Sequence, residues 1–189
     1  MTTRLPRRPN HGRHLRPSRG FSLVDLLCVT GIAAVLLGQS LPLLLQTQQR
    51  QSLMSAAAQL ETDLQLARSQ AQTLDRSVRL SLQHPESGGA CYALYTGPAE
   101  GCSCDAEGQT QCVAGAQLLR AQGLPAAAGV QLAGPDRTLS FDAGKGTVTP
   151  TATLVLSDRD GRTVHQIVNV LGRIRSCSPT ALGGLPRCR

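Results

Sequence analysis

The stretch FSLVDLLCVTGIAAVLLGQSLPLLL, residues 21–45, decides how the chain is read, because it is almost wholly apolar and carries one charge, Asp25. At 1.5 Å per residue its 25 positions reach about 37 Å as a helix, more than the roughly 30 Å of a bilayer's hydrocarbon core. One transmembrane helix is expected here. Six arginines (4, 7, 8, 13, 16 and 19) precede it in a leader that has no acids and ends at Gly20. Cations on that side hold it in the cytoplasm and send everything after Leu45 across the membrane. A secretory signal places its cleavage site after the apolar run, at small residues. Here the candidate site, Gly20, comes before it.

The leader also explains most of the charge. The formal net charge is +7 and the pI near 9.5, values that invite a nucleic-acid reading. Beyond Gly20, however, 13 cations face 12 anions, a formal +1. A local asymmetry survives. Residues 84–160 hold eight acids and four cations, whereas 161–189 hold Arg162, Arg173, Arg175, Arg187 and Arg189 and no acid. With 2% aromatics and no Trp, platforms for stacking unpaired bases are hard to build. Any nucleic-acid contact is expected to be mainly electrostatic.

After the membrane segment, Leu53, Ala57, Leu60, Leu64, Ala67, Ala71 and Leu74 step by alternating fours and threes, which draws one apolar face along a helix. Arg50, Glu61, Asp63, Arg68 and Asp75 lie off that face, and the simplest partner for it is a following sheet; a coiled-coil partner is the weaker reading. Pro42 has no N–H for the Gly38 carbonyl, so the helix is expected to bend or loosen there. From Ser77 the period becomes two. Strands are expected at 77–83, 90–95, 116–121, 130–132, 138–141, 152–156 and 164–175, with Asp160-Gly161 as a hairpin turn. A helix first and many short strands afterwards make an α+β fold: a long amino-terminal helix, kinked near Pro42, packed on a carboxy-terminal antiparallel sheet or sandwich.

Seven cysteines, six of them after residue 90, suit an oxidising compartment. Cys91, Cys102, Cys104, Cys112, Cys177 and Cys188 are disulfide candidates whose connectivity is open. Cys102-Ser103-Cys104 with Cys112 lacks the companion pair a metal site needs, so disulfides are favoured and no metal or cofactor is expected. Cys28, inside the apolar segment, reads as a small apolar residue. Beyond the leader only His84 and His165 remain, neither in a triad-like setting, and there is no phosphate-cradling glycine loop. The chain is not expected to be an enzyme.

The run Arg19-Gly20-Phe21-Ser22-Leu23-Val24-Asp25-Leu26-Leu27 resembles the prepilin signal of type IV pilins and type II secretion pseudopilins. The resemblance implies that a prepilin peptidase cuts after Gly20 and methylates the new amino terminus at Phe21. It also implies that the acid at the fifth mature position pairs with the Phe21 amine of a neighbouring subunit during assembly. That acid is usually Glu and is here Asp25, one methylene shorter; the alternative is that Asp25 sits in the headgroup region, favoured by the positive end of the helix. Pro42 lies where the family has its helix-kinking proline. The implied organisation is a basic leader (1–20), a membrane and filament-core helix (21–45), a periplasmic half-helix (46–76) and a periplasmic β domain with a basic, Cys-containing tail (77–189).

Leu64-Gln65-Leu66-Ala67-Arg68-Ser69 and the stretch from Gly161-Arg162 through Gly172-Arg173-Ile174-Arg175 resemble the FimT/GspH branch of minor pilins and pseudopilins. The last four residues are similar to the GRxR motif with which FimT-type minor pilins bind DNA in natural transformation. On one strand, Arg173 and Arg175 would point the same way roughly 6.6 Å apart, with Ile174 toward the core. Arg187 and Arg189 would extend this surface, and a Cys177–Cys188 bridge would hold the loop between them. The alternative is that these arginines form a solvated face or pair with the acidic body. The resemblance implies an inner-membrane protein with its β domain in the periplasm, whose partners are other pilins or pseudopilins, the prepilin peptidase and double-stranded DNA. A GspH-like pseudopilin of type II secretion, or a structural minor pilin, would need no DNA.

Overall fold

The computed structural model describes residues 22–86, 88–135, 137–180 and 182–188, with the side chains at 37 and 39–44 outside that set. Gly20, Phe21 and Arg189 thus lie outside the described residues, as does the Pro42 side chain.

The long helix α1, Leu23–Leu74, begins where the sequence supplies a cap. Ser22 Oγ accepts the Val24 N–H at 3.4 Å, the Ser22 carbonyl accepts Leu26 N–H at 3.2 Å, and Asp25 stands in the first turn. A serine at the cap and an acid just after it satisfy free N–H groups and complement the positive helix end. The chain divides into two units, Met1–Pro42 and Leu43–Arg189. In the first unit Leu23, Val24, Leu26, Leu27, Val29, Ile32, Val35 and Leu36 are each at least 60% exposed. Helical positions 26, 27 and 29 face different ways, so apolar surface runs around the whole circumference. Among the described residues no helix is long and apolar enough to cross a membrane. The contiguous described positions of this helix, 23–36, cover only about 21 Å, and beyond them only Gly38 and Leu45 of the expected span are described.

In the second unit the apolar face of α1 is buried as the spacing requires: Leu53, Ala57, Leu60, Leu64, Ala67 and Ala71 are all 3% exposed or less. Leu74 departs from the expectation at 43% exposed. It is the last helical residue, and the chain leaves the helix at Asp75 with φ +50°. Asp63 departs the other way. It is fully buried, with its carboxylate 2.8 Å from Arg120 Nε, 2.7 Å from the Tyr92 hydroxyl that donates to it, and 3.1 Å from Gln59 Nε2. One position from Leu64, it sits on the flank of the apolar face, where strand partners reach it. Burial, and then the hydrogen bond to Asp63, push the Tyr92 hydroxyl far above the usual tyrosine range.

The strands form two main antiparallel sheets around that helix face. In the first the order is β5 (Gln117–Leu124), β2 (Ala90–Thr96), β1 (Val78–Gln83), β7 (Leu139–Phe141), β8 (Val148–Thr149). In the second it is β11 (Ile174–Cys177), β10 (Thr163–Val168), β9 (Ala152–Asp158), β6 (Val130–Ala133). Leu80, Tyr92, Leu94 and Phe141 from one sheet and Leu132, Leu154, Leu156, Val164 and Val168 from the other share one core with α1. Polar contacts tie the helix to the second sheet: Gln166 Nε2 donates to the Ala57 carbonyl at 3.0 Å. Ser176 Oγ lies 2.5 Å from Glu61 Oε2 and 2.8 Å from Gln166 Oε1, its one proton serving one of them at a time.

The Cys-rich middle adds a small hairpin, β3 (Cys102–Cys104) and β4 (Thr110–Cys112), that sequence alternation did not reveal because each strand is three residues long. It covers the outer face of β2, which is buried along its whole length. Ala93, Tyr95 and Cys102 form a second core cluster there. Ser81 Oγ donates to the Cys102 carbonyl at 3.3 Å, Gln83 Oε1 accepts Cys104 N–H at 2.8 Å, and disulfides Cys91–Cys104 and Cys102–Cys112 complete the attachment. So short a hairpin has little stability of its own, and each cross-link contributes about 2–4 kcal/mol by restricting the unfolded chain.

Candidate nucleic-acid interface

The arginines of the acid-free tail do not share one environment. Arg162 follows the β9–β10 turn, where Asp158 Oδ1 accepts the N–H groups of Asp160 and Arg162 at 3.0 and 2.9 Å. Its guanidinium then lies 2.6 Å from Asp158 and 2.8 Å from Asp160. Arg162 is neutralised by the end of the acidic body, which is the alternative weighed for the tail as a whole.

The expected single strand over 164–175 is two strands, β10 and β11, separated by a turn at residues 169–173. Val170 and Leu171 made this turn look like strand, but they are exposed at its tip, 54% and 65%. Asn169 builds it: its carbonyl accepts Gly172 N–H at 2.9 Å and its Oδ1 accepts Arg173 N–H at 2.9 Å. Gly172 has φ +69°, and an added methyl there would meet the Gly146 carbonyl oxygen at 2.1 Å, so only glycine fits without movement. Arg173 is therefore in the turn and not on the strand, and strand alternation does not set its direction.

Within β11, Ile174 packs against the core and Ser176 reaches Glu61 and Gln166, so Arg175, between them, points to the opposite face, beside its cross-strand neighbour Ile167. Arg173, Arg175 and Arg187 are all exposed, and among the described residues none joins an ion pair. A bridge between Ser178 and Arg187 brings the tail back beside the end of β11.

The disulfide Cys177–Cys188 closes that tail, and Leu182, 5% exposed, anchors it in the core. Ser178 donates its hydroxyl to the Thr163 carbonyl at 2.7 Å and its N–H to the Pro186 carbonyl at 3.0 Å. The loop carrying Arg187 is thus held before any ligand arrives, which lowers the ordering cost of binding. Sequence reasoning gave no interface role to two helix cations that the fold brings to the tail region at separate places. Arg50 approaches the tail at Gly183, where an added methyl would lie 2.7 Å from its Nη2, and Arg68 packs beside Gly172. The signal for Arg68 was its place in the run 64–69; Arg50 had none beyond lying off the apolar face.

A family model described as Type II transport protein GspH matches residues 56–172, more than half of the chain. The chain belongs to the GspH family. In this GspH-family protein the matched segment ends at Gly172, so Arg173, Arg175 and Arg187 lie just beyond it. Among solved structures it is similar to the type IV minor pilin FimU of Pseudomonas aeruginosa, at 24% identity over 67% of this chain and 88% of that one, with a TM-score of 0.48. It is also similar to the minor pseudopilin EpsH of the Vibrio cholerae type 2 secretion system, at 15% identity over 67% of this chain and 96% of that one, with a TM-score of 0.45. None of the curated proteins matches this GspH-family chain by sequence.

Proposed function

We propose that this GspH-family protein is a FimT-like minor pilin of a type IV pilus that binds double-stranded DNA without sequence preference and aids its uptake in natural transformation. The observation that carries this reading is that Arg173 in the turn before the edge strand β11, Arg175 on it and Arg187 in the tail beside it are exposed and, among the described residues, join no ion pair, while Arg162 is neutralised. Free cations in an acid-free segment are what sequence-independent phosphate contact requires. Arg189 extends the set by its place in the sequence. In this reading the prepilin peptidase cleaves after Gly20 and methylates Phe21, residues 21–45 span the inner membrane and enter the filament core, and Asp25 pairs with the Phe21 amine of a neighbour. The β domain then lies in the periplasm.

The core of the second unit begins at Leu53, so a fragment of residues 46–189 keeps all of it. Titrating that fragment with duplex DNA over a range of salt tests the reading. Changing both Arg173 and Arg175 to Gln is expected to flatten the slope of log K against log salt by about 1.8, from roughly 0.9 per phosphate contact. An unchanged slope and affinity would sink the assignment. The second reading, favoured by the family match itself, is a pseudopilin of a type II secretion system whose partners are other pseudopilins. It predicts no DNA shift by the unaltered fragment.

A further inference from the structure

Arg68 belongs to the helix and is remote in sequence from the tail, yet the fold sets it against the β10–β11 turn. Gln65, Arg68, Ser69 and Gln72 on one wall and Arg173 and Ile174 on the other line an open groove of about 350 Å³. Arg68 and Gln72 pack beside glycine backbone: an added methyl on Gly172 would lie 3.2 Å from Arg68 Nε, and one on Gly146 would lie 3.4 Å from Arg68 Nε and 2.9 Å from Gln72 Nε2. Two of the polar wall residues are engaged, Gln65 Nε2 with Glu61 Oε1 at 3.3 Å and Ser69 Oγ with the Leu66 carbonyl at 2.9 Å. Glu61, the acid that Gln65 meets, is also held by Ser176, and no carboxylate lines the groove. Among the described residues Arg68 and Arg173 make no ion pair.

Arg68 is half-buried, with its Nε held beside the backbone of Gly146 and Gly172, and among the described residues it has no counter-ion. A phosphate oxygen supplies both the missing charge and an acceptor for the planar guanidinium donors. We propose that this groove holds one backbone phosphate of bound DNA between Arg68 and Arg173, with Gln72 as a neutral donor. The inference rests on the DNA-binding reading above and changes its geometry: the DNA contact passes from the tail onto the helix.

The test uses the full chain in an uncharged detergent with a short labelled duplex. Arg68→Gln is expected to weaken binding about tenfold, as loss of a charge-assisted contact does, while Arg68→Lys retains most of the affinity. Arg68→Gln combined with Arg173→Gln is expected to weaken binding by less than the product of the two single effects, because both arginines serve one phosphate. In the unaltered protein, DNA is expected to protect Arg68 and Arg173 together from phenylglyoxal, a readout that needs no variant to fold. If the protein binds DNA, Arg173→Gln weakens it and Arg68 is neither sensitive to substitution nor protected, the groove is refuted and the tail interface stands. If the unaltered chain binds no duplex, the DNA reading itself falls and takes the groove with it.

Discussion

The two ends of strand β10 carry nearly the same turn with opposite electrostatic results. Asp158-Arg159-Asp160-Gly161-Arg162 enters the strand and Asn169-Val170-Leu171-Gly172-Arg173 leaves it. In each, the glycine N–H meets the carbonyl of the first residue, at 3.2 and 2.9 Å, and the first residue's N–H meets the arginine carbonyl, at 3.1 and 3.2 Å. In each, the first side chain accepts the arginine N–H, at 2.9 Å in both. The glycines have φ +76° and +69°. What differs is the acids: Asp158 and Asp160 stand where the second turn has Asn169 and Leu171. An amide builds the turn as well as a carboxylate does, because only one oxygen is needed, but it leaves the following arginine unpaired. The same backbone device therefore makes a neutral corner at one end of the strand and, among the described residues, a cation without an ion pair at the other.

The largest expected difference between the turns lies in their glycines. Gly172→Ala is expected to cost about 3 kcal/mol, from the left-handed conformation together with the collision at Gly146, whereas Gly161→Ala, whose added methyl meets nothing within 4 Å, costs about 1 kcal/mol. Urea unfolding of the two variants measures this, and equal losses would show that the close approach at Gly172 does not matter. Next in size is a graft of one turn's charges onto the other. Asn169→Asp with Leu171→Asp supplies Arg173 with the partners Arg162 has. DNA binding is then expected to weaken about tenfold, about 1.4 kcal/mol, with the salt slope reduced by about 0.9 and the stability little changed. Wild-type binding by this variant would break the comparison. The smallest effect separates the arginines by stability: Arg162→Gln costs about 1 kcal/mol in thermal unfolding because it strips the buried Asp158 of its cation, while Arg173→Gln changes stability by less than about 0.5 kcal/mol.

Much of the fold was legible because burial on a helix or strand follows a local period. The alternating steps from Leu53 to Ala71 marked the buried face, and Asp160-Gly161 marked its hairpin. The second turn was hidden because Val170 and Leu171 are apolar residues at an exposed tip, and composition could not distinguish them from strand. Asp63 was hidden for the opposite reason: a carboxylate off the apolar face reads as solvated until Arg120, Tyr92 and Gln59 are seen to converge on it. The six bridged cysteines were recognisable as disulfide formers, but the choice among their pairings depends on which strands lie over one another. Of the proposed interface, the sequence singled out Arg173, Arg175 and Arg187, whereas Arg68 stood only in the run 64–69 with nothing to set it beside the tail.

Taken alone, the sequence determined the periodic elements, the apolar segment with its single acid, the glycines that turns require and the placement of cations in a tail without acids. All of these are properties of neighbours along the chain. The tertiary structure decided which cations remain unpaired and which distant groups meet, since these depend on contacts such as Ser176 with Glu61, 115 positions apart. Coulomb and hydrogen-bond energies depend on distance through space, and a one-dimensional pattern carries that distance only within a turn or a hairpin.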